Sequence, residues 1–558
     1  MARWRAPLII ALCLFLFVVA HRGAGGGYFN DDDLDNLRWT RHSPWPVFLQ
    51  GLLDPRYSAS NFRPAGHAVY KALGATAGLD YRYYVALIQL LHLLNVLLLW
   101  RVARRLGLAP AAQALACLFF AFHMAAFDAC WKPMFLFDVL AAAWVLLSLL
   151  LYLQGRAWWA LAPFWLAYKT KEVAVGLPVV LLLYEWLVGE RRWRRVAPFA
   201  AVSLWFGAQA LWRRPAAPTD YTLQFTLAAF WECLRFYADK VFLMPWAGFL
   251  LVPLALWRRE AVVRWALASL PFCLGPLLFL PGRKFGVYLY LALVFLALAV
   301  GRLAGGWKPV WAVALFVPWL AFNFHVLRQE RKAALTVAHE NRAYVTQLGA
   351  LEPAHAGAST LIFDGTPAWM SRWGVEAALR WFWRDAKVRV LPVEEVEAAP
   401  VGAGEEVLLV SWDRARHRMR ALPRAAGGAD SGYLAMDEAT PVWQLLEGWY
   451  PREGSFRWIK PRARARLGRP ASSSRFELKV NVGPPQVELG HRGRVEVFLA
   501  GRSLGIQEFP EHGWYTQIYR LPEGLPQTVE VEFRVDPPLR PPGDGRALGL
   551  AIAGFGFR

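Results

Sequence analysis

Cysteine is scarce in this chain, and the few cysteines form no recognisable framework. Only five of the 558 residues are cysteine, and all five lie within or beside apolar runs. Their spacing matches neither a zinc site nor a disulfide-stabilised scaffold. No cysteine occurs after residue 327, so disulfides do not indicate the compartment of that part of the chain.

The sequence also lacks internal repeats and nucleic-acid-binding motifs. Its formal net charge of +20 would fit a nucleic-acid partner, but much of the basic charge lies in short segments between apolar runs. We therefore expect no nucleic-acid partner. Membrane lipids with anionic headgroups, or phosphate-bearing substrates, suit this distribution better.

Long apolar runs are what the chain has in abundance. Hydrophobic residues make up 56% of it and the mean hydropathy is +0.27, which is unusual for a soluble globular protein. At roughly 20 residues per span, the runs before residue 328 predict about 11 transmembrane helices. The first run, residues 7–20, is interpreted as a retained span because many spans follow it. A cleaved signal peptide is the alternative.

The charges between the apolar runs predict the orientation. One set of turns is short, basic and almost free of acids, as the positive-inside rule expects of cytoplasmic turns. With the amino terminus inside, the first loop, residues 21–81, lies outside. An odd number of spans then places the chain after residue 327 outside as well.

An acidic cluster follows the first run and a glycine-rich hinge. Asp31, Asp32, Asp33 and Asp35 lie within five positions. Carboxylates this close raise one another's pKa, which prepares one of them to act as a base. A solvated acidic loop, or an acidic cap on a short helix, is the simpler interpretation.

Four cations fall on the outer face, against the positive-inside rule. They are Lys169, Lys171, Arg283 and Lys284. Cations in such places indicate a functional constraint, and an anionic ligand at the outer face is the natural one. Contact with lipid headgroups is the alternative.

The chain after residue 327 divides into two soluble regions by its pattern. Residues 328–470 alternate between helix and strand and predict a small α/β region. Residues 471–558 contain short alternating segments separated by glycine and proline, which predicts a small β-sandwich. The elements expected in the α/β region are strands at 359–363, 387–392 and 406–411 and a helix over 367–384.

Four short motifs run through the membrane part in order. They are Asp32-Asp33; Asn61-Phe62-Arg63-Pro64 with His92 and Asn95; His123, Asp128, Trp131 and Asp138-Val139-Leu140; and Lys171-Glu172 with Leu177-Pro178 and Tyr184-Glu185-Trp186. With these motifs, residues 5–330 resemble the GT-C class of glycosyltransferases, which use polyprenyl-phosphate-linked sugars. Within that class the chain is most similar to the protein O-mannosyltransferase-like membrane family. It departs from the family in carrying Asp128 where glutamate is common, and in lacking tetratricopeptide repeats.

The resemblance implies a multi-pass GT-C-like enzyme of the bacterial inner membrane, with a periplasmic carboxyl-terminal region. Such an enzyme moves a sugar from a polyprenyl-phosphate donor to a hydroxyl acceptor on a protein, lipid or glycan. The resemblance places the base at Asp32, with Asp31 as the rival, and gives Asp33 and Asp128 orienting roles. Inversion would follow from a single displacement.

Further roles follow from the chemistry of a departing phosphate, whose growing charge needs fixed cations. Arg283, Lys284 and Lys171 are the candidates for binding it. No metal is required in principle, although Asp32, Asp33 and Asp128 would suit a divalent cation if they converged. The candidates for supporting roles are Arg63, His92, His123, Asp138 and Glu172, for which packing or structural ion pairing is the alternative.

Two other functions fit the same sequence. One is a transporter or flippase of a lipid-linked saccharide, which would favour intramembrane charges in matched halves of the chain. The other is a non-catalytic membrane subunit that presents the soluble tail. We expect the glycosyltransferase.

Overall fold

Two units make up the described part of the chain, which in the computed structural model comprises residues 13–56, 61–212, 220–355, 357–384, 388–402 and 404–558. The first unit is Met1–His339 and the second is Glu340–Arg558. The predicted division after residue 327 falls within one continuous helix, Pro309–His355, which joins them.

Among the described residues, five helices are long and apolar enough to cross a membrane, and a sixth span results if one bent pair of helices is counted as one. The chain is therefore a multi-pass membrane protein. The five are Tyr81–Arg105, Pro133–Leu153, Ala261–Phe279, Gly286–Ala304 and Pro309–His355, and the bent pair is Pro110–Ala121 with Met124–Trp131.

The predicted number of about 11 spans is not confirmed. Several apolar runs form helices too short for the criterion, such as Ala157–Tyr168 with 12 residues and Leu177–Leu187 with 11. At 1.5 Å per residue, a helix of 12 residues covers about 18 Å of a hydrocarbon core about 30 Å thick. Residues 7–12 of the first predicted span lie outside the described part of the chain, and Cys13–Gly26 forms a short apolar helix.

The first loop is largely helical. It contains Asp31–His42, Trp45–Leu53 and Pro64–Thr76. Pro64 begins the third of these at a position where its missing N–H costs nothing. Gly66 lets this helix approach Phe137 closely, since a Cβ at Gly66 would lie 2.3 Å from the Phe137 ring.

Two helices within the candidate spans, Leu136–Leu153 and Tyr290–Ala304, are deeply buried, and both belong to one large apolar core. Besides the two short helices named above, the α-helices between them in the chain are Ala197–Trp212, Leu227–Val241, Leu251–Trp257 and Ala261–Leu274.

The second unit begins with a four-stranded sheet. Its strands are β1 (Thr360–Asp364), β2 (Arg389–Pro392), β3 (Val407–Asp413) and β4 (Arg418–Arg424), in the order β2-β1-β3-β4. The first three are parallel, β4 is antiparallel, and the helix Arg372–Phe382 connects β1 to β2. The strands and the helix lie within a few residues of their predicted positions.

A nine-stranded sheet follows, with the order β10-β9-β12-β7-β13-β8-β11, and with β5 on β13 and β6 on β7. Val497 on β9 and Tyr519 on β11 lie near opposite ends of this order yet belong to one buried cluster, so the sheet closes around a single core. The strands are β5 (Tyr433–Ala435), β6 (Leu445–Glu453), β7 (Phe456–Gly468), β8 (Arg475–Val482), β9 (Val495–Leu499), β10 (Arg502–Gln507), β11 (Gly513–Arg520), β12 (Thr528–Val535) and β13 (Ala551–Phe557).

This sheet begins earlier in the chain than predicted. The expected boundary after residue 470 falls between β7 and β8, which belong to the same sheet, and β5 already starts at Tyr433. Arg462, Arg464 and Arg466 give β7 a polar outer face, while Ala463 and Ala465 face the core. With so small an inner face, the strand does not stand out by hydrophobicity.

Candidate active site

The acidic cluster forms the first turn of the helix Asp31–His42. Asn30 precedes this helix in a capping box, in which the Asn30 backbone N–H donates to Asp33 Oδ2 at 3.0 Å. The Tyr70 hydroxyl donates to the other oxygen of Asp33 at 2.7 Å. Burial raises the pKa of Asp33 to about 7. With no exposed surface and both oxygens engaged, Asp33 anchors the loop and is poorly placed to meet a substrate.

Asp32 has a different environment. It is half-buried, and no hydrogen bond or salt bridge to its carboxylate is recorded among the described residues. Burial raises its pKa, while the positive charges of Arg283, Arg63 and Lys171 act in the opposite direction. Asp32 therefore lies within electrostatic reach of three cations, while its neighbour Asp33 has both oxygens engaged.

Two of these cations are held by carboxylates from distant parts of the chain. Arg63 donates two hydrogen bonds to Glu172, at 3.2 and 3.0 Å. Lys171 Nζ lies 2.7 Å from each oxygen of Asp138. The sequence places Lys171 and Glu172 side by side, but each forms its salt bridge with a different partner.

Arg283 is the third cation, and its surroundings are aromatic. Its guanidinium carbon lies 4.5 Å from the centre of the Tyr221 ring and 5.3 Å from that of Phe285. Its Nε is buried without a hydrogen-bond partner, and no salt bridge of Arg283 is recorded in the described ranges. We call Arg63, Lys171 and Arg283 the cation cluster. Arg283 is the member whose charge is available to an anion.

Other predicted residues lie in different settings. Lys284 forms a salt bridge with Glu232. Asp128 pairs with Lys132 at 2.8 Å and lines a cavity of about 460 Å³ whose lining does not include Asp32. The described residues contain no group of three or more His, Cys, Asp or Glu side chains that would suit a metal ion. The structure thus offers no direct support for a cation shared by Asp32 and Asp128.

The two histidines are buried and join elements together. His92 Nδ1 lies 2.7 Å from the Tyr290 hydroxyl, which also accepts a hydrogen bond from Asn95 at 3.1 Å. His123 Nε2 donates to the Val241 carbonyl at 2.8 Å. These contacts connect segments far apart in sequence, as the packing alternative expects. A supporting role for either histidine stays a prediction.

Three tyrosines of the candidate site were not predicted from the sequence. Tyr70 holds Asp33, Tyr221 lies against Arg283, and the Tyr288 ring centre lies 4.7 Å from Lys171 Nζ. Tyr288 follows Arg283 by only five positions in the chain. The other two become identifiable only when the chain folds.

An apolar cavity of about 450 Å³ lies among five of the helices. Its walls are almost entirely aliphatic and aromatic, and Arg264 is the charged residue in its lining. Tyr237 lines it with a buried hydroxyl for which no hydrogen-bond partner is recorded among the described residues. Leu289, next to Tyr288 in sequence, also lines it.

No family model and no curated protein matches the chain. Among solved structures, the chain is similar to the crystal structure of ArnT from Cupriavidus metallidurans in the apo state. The sequence identity is 17% and the TM-score is 0.42, over 74% of this chain and 94% of that one. This similarity assigns neither an activity nor a residue to the present chain.

Proposed function

We propose that this protein is a membrane glycosyltransferase of the GT-C class, which moves a sugar from a polyprenyl-phosphate donor to an acceptor hydroxyl. The reaction takes place at the outer face of a bacterial inner membrane. One observation carries this proposal: Asp32, a half-buried carboxylate outside the candidate membrane spans, lies within electrostatic reach of three cations, and one of them, Arg283, has no carboxylate partner among the described residues. A base and an anion site thus occupy the same region.

Asp32 is the general base. As the acceptor oxygen attacks the anomeric carbon of the sugar, its proton passes to the Asp32 carboxylate. The partial burial that raises the pKa of Asp32 makes it a stronger base than an exposed aspartate. A positioned base of this kind contributes typically about 10²–10⁴-fold to the rate.

The cation cluster stabilises the leaving group. The bond between the anomeric carbon and the phosphate oxygen breaks, and the polyprenyl phosphate departs with the electron pair. Its growing negative charge meets Arg283 directly, and Arg63 and Lys171 add to the positive potential. Because attack and departure occur on opposite sides of the sugar, the product has inverted anomeric configuration.

The apolar cavity suits the isoprenoid chain of the donor. Its lining is almost entirely apolar and includes Leu289, which follows Tyr288 in sequence, and the Tyr288 ring contacts Lys171. A lipid chain in the cavity would therefore leave its phosphate near the cation cluster. The reduced need to desolvate polar groups also favours an apolar ligand there.

The test is sugar transfer from a synthetic polyprenyl-phosphate sugar by Asp32→Asn. We expect kcat to fall by at least about 100-fold, because the amide cannot accept the proton. Asp35→Asn is the matched control, since Asp35 lies on the same helix but forms a salt bridge with Arg38 at 2.8 Å. Asp31→Asn tests the rival base.

Two results would reject the proposed base. One is full activity in Asp32→Asn; the other is an equal loss in Asp32→Asn and Asp35→Asn, which would indicate a damaged helix. Loss of saccharide transport with intact transfer would instead favour a transporter.

A further inference from the structure

The edge strand β11 presents an outward face of unusual composition. Trp514, Thr516, Ile518 and Arg520 share this face, because they alternate with residues that point towards the core. Trp514 is 61% exposed and Ile518 is 50% exposed. Large apolar side chains this exposed on a strand indicate a binding function more often than scattered surface residues do.

The neighbouring strand β8 adds polar side chains to the same face. The register pairs Trp514 with Asn481, Thr516 with Lys479, Ile518 with Glu477, and Arg520 with Arg475. Residues directly opposite in an antiparallel pair lie on one face, about 5 Å apart. These eight residues, the β11 face, extend about 20 Å along the strand.

The outward charge of the β11 face is positive. Lys479, Arg475 and Arg520 are its cations, and Glu477 is its acid. The Glu477 side chain is only 11% exposed and accepts a hydrogen bond from the Tyr433 hydroxyl at 3.1 Å. Glu477 also forms a salt bridge with Lys479 at 3.5 Å, which leaves the Lys479 side chain 45% exposed. An anionic ligand would thus meet two arginines, one partly engaged lysine and one covered carboxylate.

We propose that the β11 face binds an acidic oligosaccharide, one that carries carboxylate or sulfate groups. The indole of Trp514 offers a flat apolar surface for the C–H face of a sugar ring, and Asn481 and Thr516 offer hydrogen-bonding groups beside it. Lys479 and the two arginines supply charge-assisted hydrogen bonds to the acidic groups. The length of the face fits several sugar units.

A lipid surface is the competing occupant, and the pattern favours it less. Membrane-surface elements segregate apolar residues into one continuous strip. Here Thr516 separates Trp514 from Ile518, and each of these two lies opposite a polar side chain. The face therefore alternates polar and apolar groups over its whole length, as a sugar-binding surface requires.

The binding measurement uses the full-length protein in detergent micelles, without donor, so it does not depend on the proposed transfer reaction. Tetragalacturonic acid and a heparin tetrasaccharide are the acidic probes, and maltotetraose is the neutral one. We expect at least one acidic probe to bind, and Trp514→Ala to weaken its binding about tenfold or more. Lys479→Gln should weaken binding of the acidic probe and leave any binding of the neutral probe unchanged.

Trp369→Ala is the matched control, because Trp369 is 69% exposed in the same unit but lies outside the β11 face. It should bind as the unmodified protein does. Thermal unfolding of each variant checks that the sheet is intact, which we expect because Trp514 is largely exposed.

Backbone hydrogen exchange over Gly513–Arg520 locates the occupant. Slower exchange on addition of the acidic probe supports the proposal. Slower exchange on transfer from micelles to nanodiscs of anionic lipid, with no effect of sugar, would overturn it in favour of a membrane contact. Failure of both acidic probes to bind, or equal binding by Trp514→Ala, would also overturn it.

Discussion

The salt bridge between Asp138 and Lys171 is the strongest single test of how the first unit is built. Both side chains are nearly covered, with exposures of 8% and 13%, and both Asp138 oxygens lie 2.7 Å from Nζ. Asp138 lies in the candidate span Pro133–Leu153, where an unpaired charge is costly. Asp138→Leu would leave the Lys171 ammonium buried against the Tyr288 ring without its carboxylate.

Removing one partner of a buried ion pair costs about 3–5 kcal/mol, while replacing both by apolar residues is often neutral or stabilising. We therefore expect Asp138→Leu to lower the free energy of unfolding by about 3–5 kcal/mol. The double variant Asp138→Leu/Lys171→Met should recover most of this loss. It should nevertheless transfer sugar slowly, because one member of the cation cluster is gone.

The assay is reversible unfolding in mixed micelles, followed by intrinsic fluorescence. Arg302→Met is the matched control, because it breaks the Arg302–Glu260 salt bridge, whose side chains are 37% and 35% exposed. Exposed pairs contribute about 0–1 kcal/mol. If Asp138→Leu costs no more than this control, or if the double variant is as unstable as the single one, the interpretation of a buried, structurally required pair is wrong.

Three further predictions concern the surroundings of the site. Burial raises the pKa of Asp33 from 3.8 to about 7. Between these two pH values the folded protein carries a proton on Asp33 that the unfolded protein has lost. The free energy of unfolding should therefore fall as the pH rises from about 4 to 7, by up to about 4 kcal/mol. Unfolding measured against pH should show this decline, and Asp33→Asn should flatten it. Gly66→Ala should lower the free energy of unfolding by about 1–3 kcal/mol in the same assay, because the alanine Cβ would overlap the Phe137 ring. An unchanged free energy of unfolding would contradict the close approach of Gly66 to Phe137. Ala268→Phe, which adds a ring inside the apolar cavity, should raise KM about tenfold for a long-chain donor but not for a donor with a short isoprenoid chain. An equal effect on both donors would remove the cavity from the donor site.

Much of the second unit was predictable because its strands alternate strictly. Apolar residues occupy every second position of the segments 476–482, 495–499 and 529–535, and these segments form β8, β9 and β12. β7 has the same period, but alanines occupy much of its inner face and arginines its outer face. β7 is therefore indicated by its alternation of small and charged residues and not by the hydrophobicity of the segment.

The first unit shows where sequence patterns lose information. Apolar runs indicate burial in lipid or protein, but they do not reveal where the backbone breaks. Pro163 and Pro271 lie inside helices, and short 3₁₀ turns interrupt the path before Leu177 and Leu251. The number of complete spans depends on such breaks, so hydropathy alone did not determine it.

For the candidate site, local motifs named most of the charged residues but not their partners. Arg63 and Glu172 lie 109 positions apart, and Lys171 and Asp138 lie 33 apart. Only the packing of the first loop onto the spans brings these groups together. The same packing separates Asp33, which is enclosed, from Asp32, which is available, although the two are adjacent in sequence.

The central claim is that Asp32 and Arg283 flank the reaction centre, and the position of a bound donor tests it most directly. The measurement is an experimental structure of the protein with a polyprenyl phosphate. We predict phosphate density between the Asp32 carboxylate and the Arg283 guanidinium, with the isoprenoid chain entering the apolar cavity lined by Tyr237. Phosphate density beside Asp128 and Asp239, or at any place remote from both Asp32 and Arg283, would contradict the proposed site.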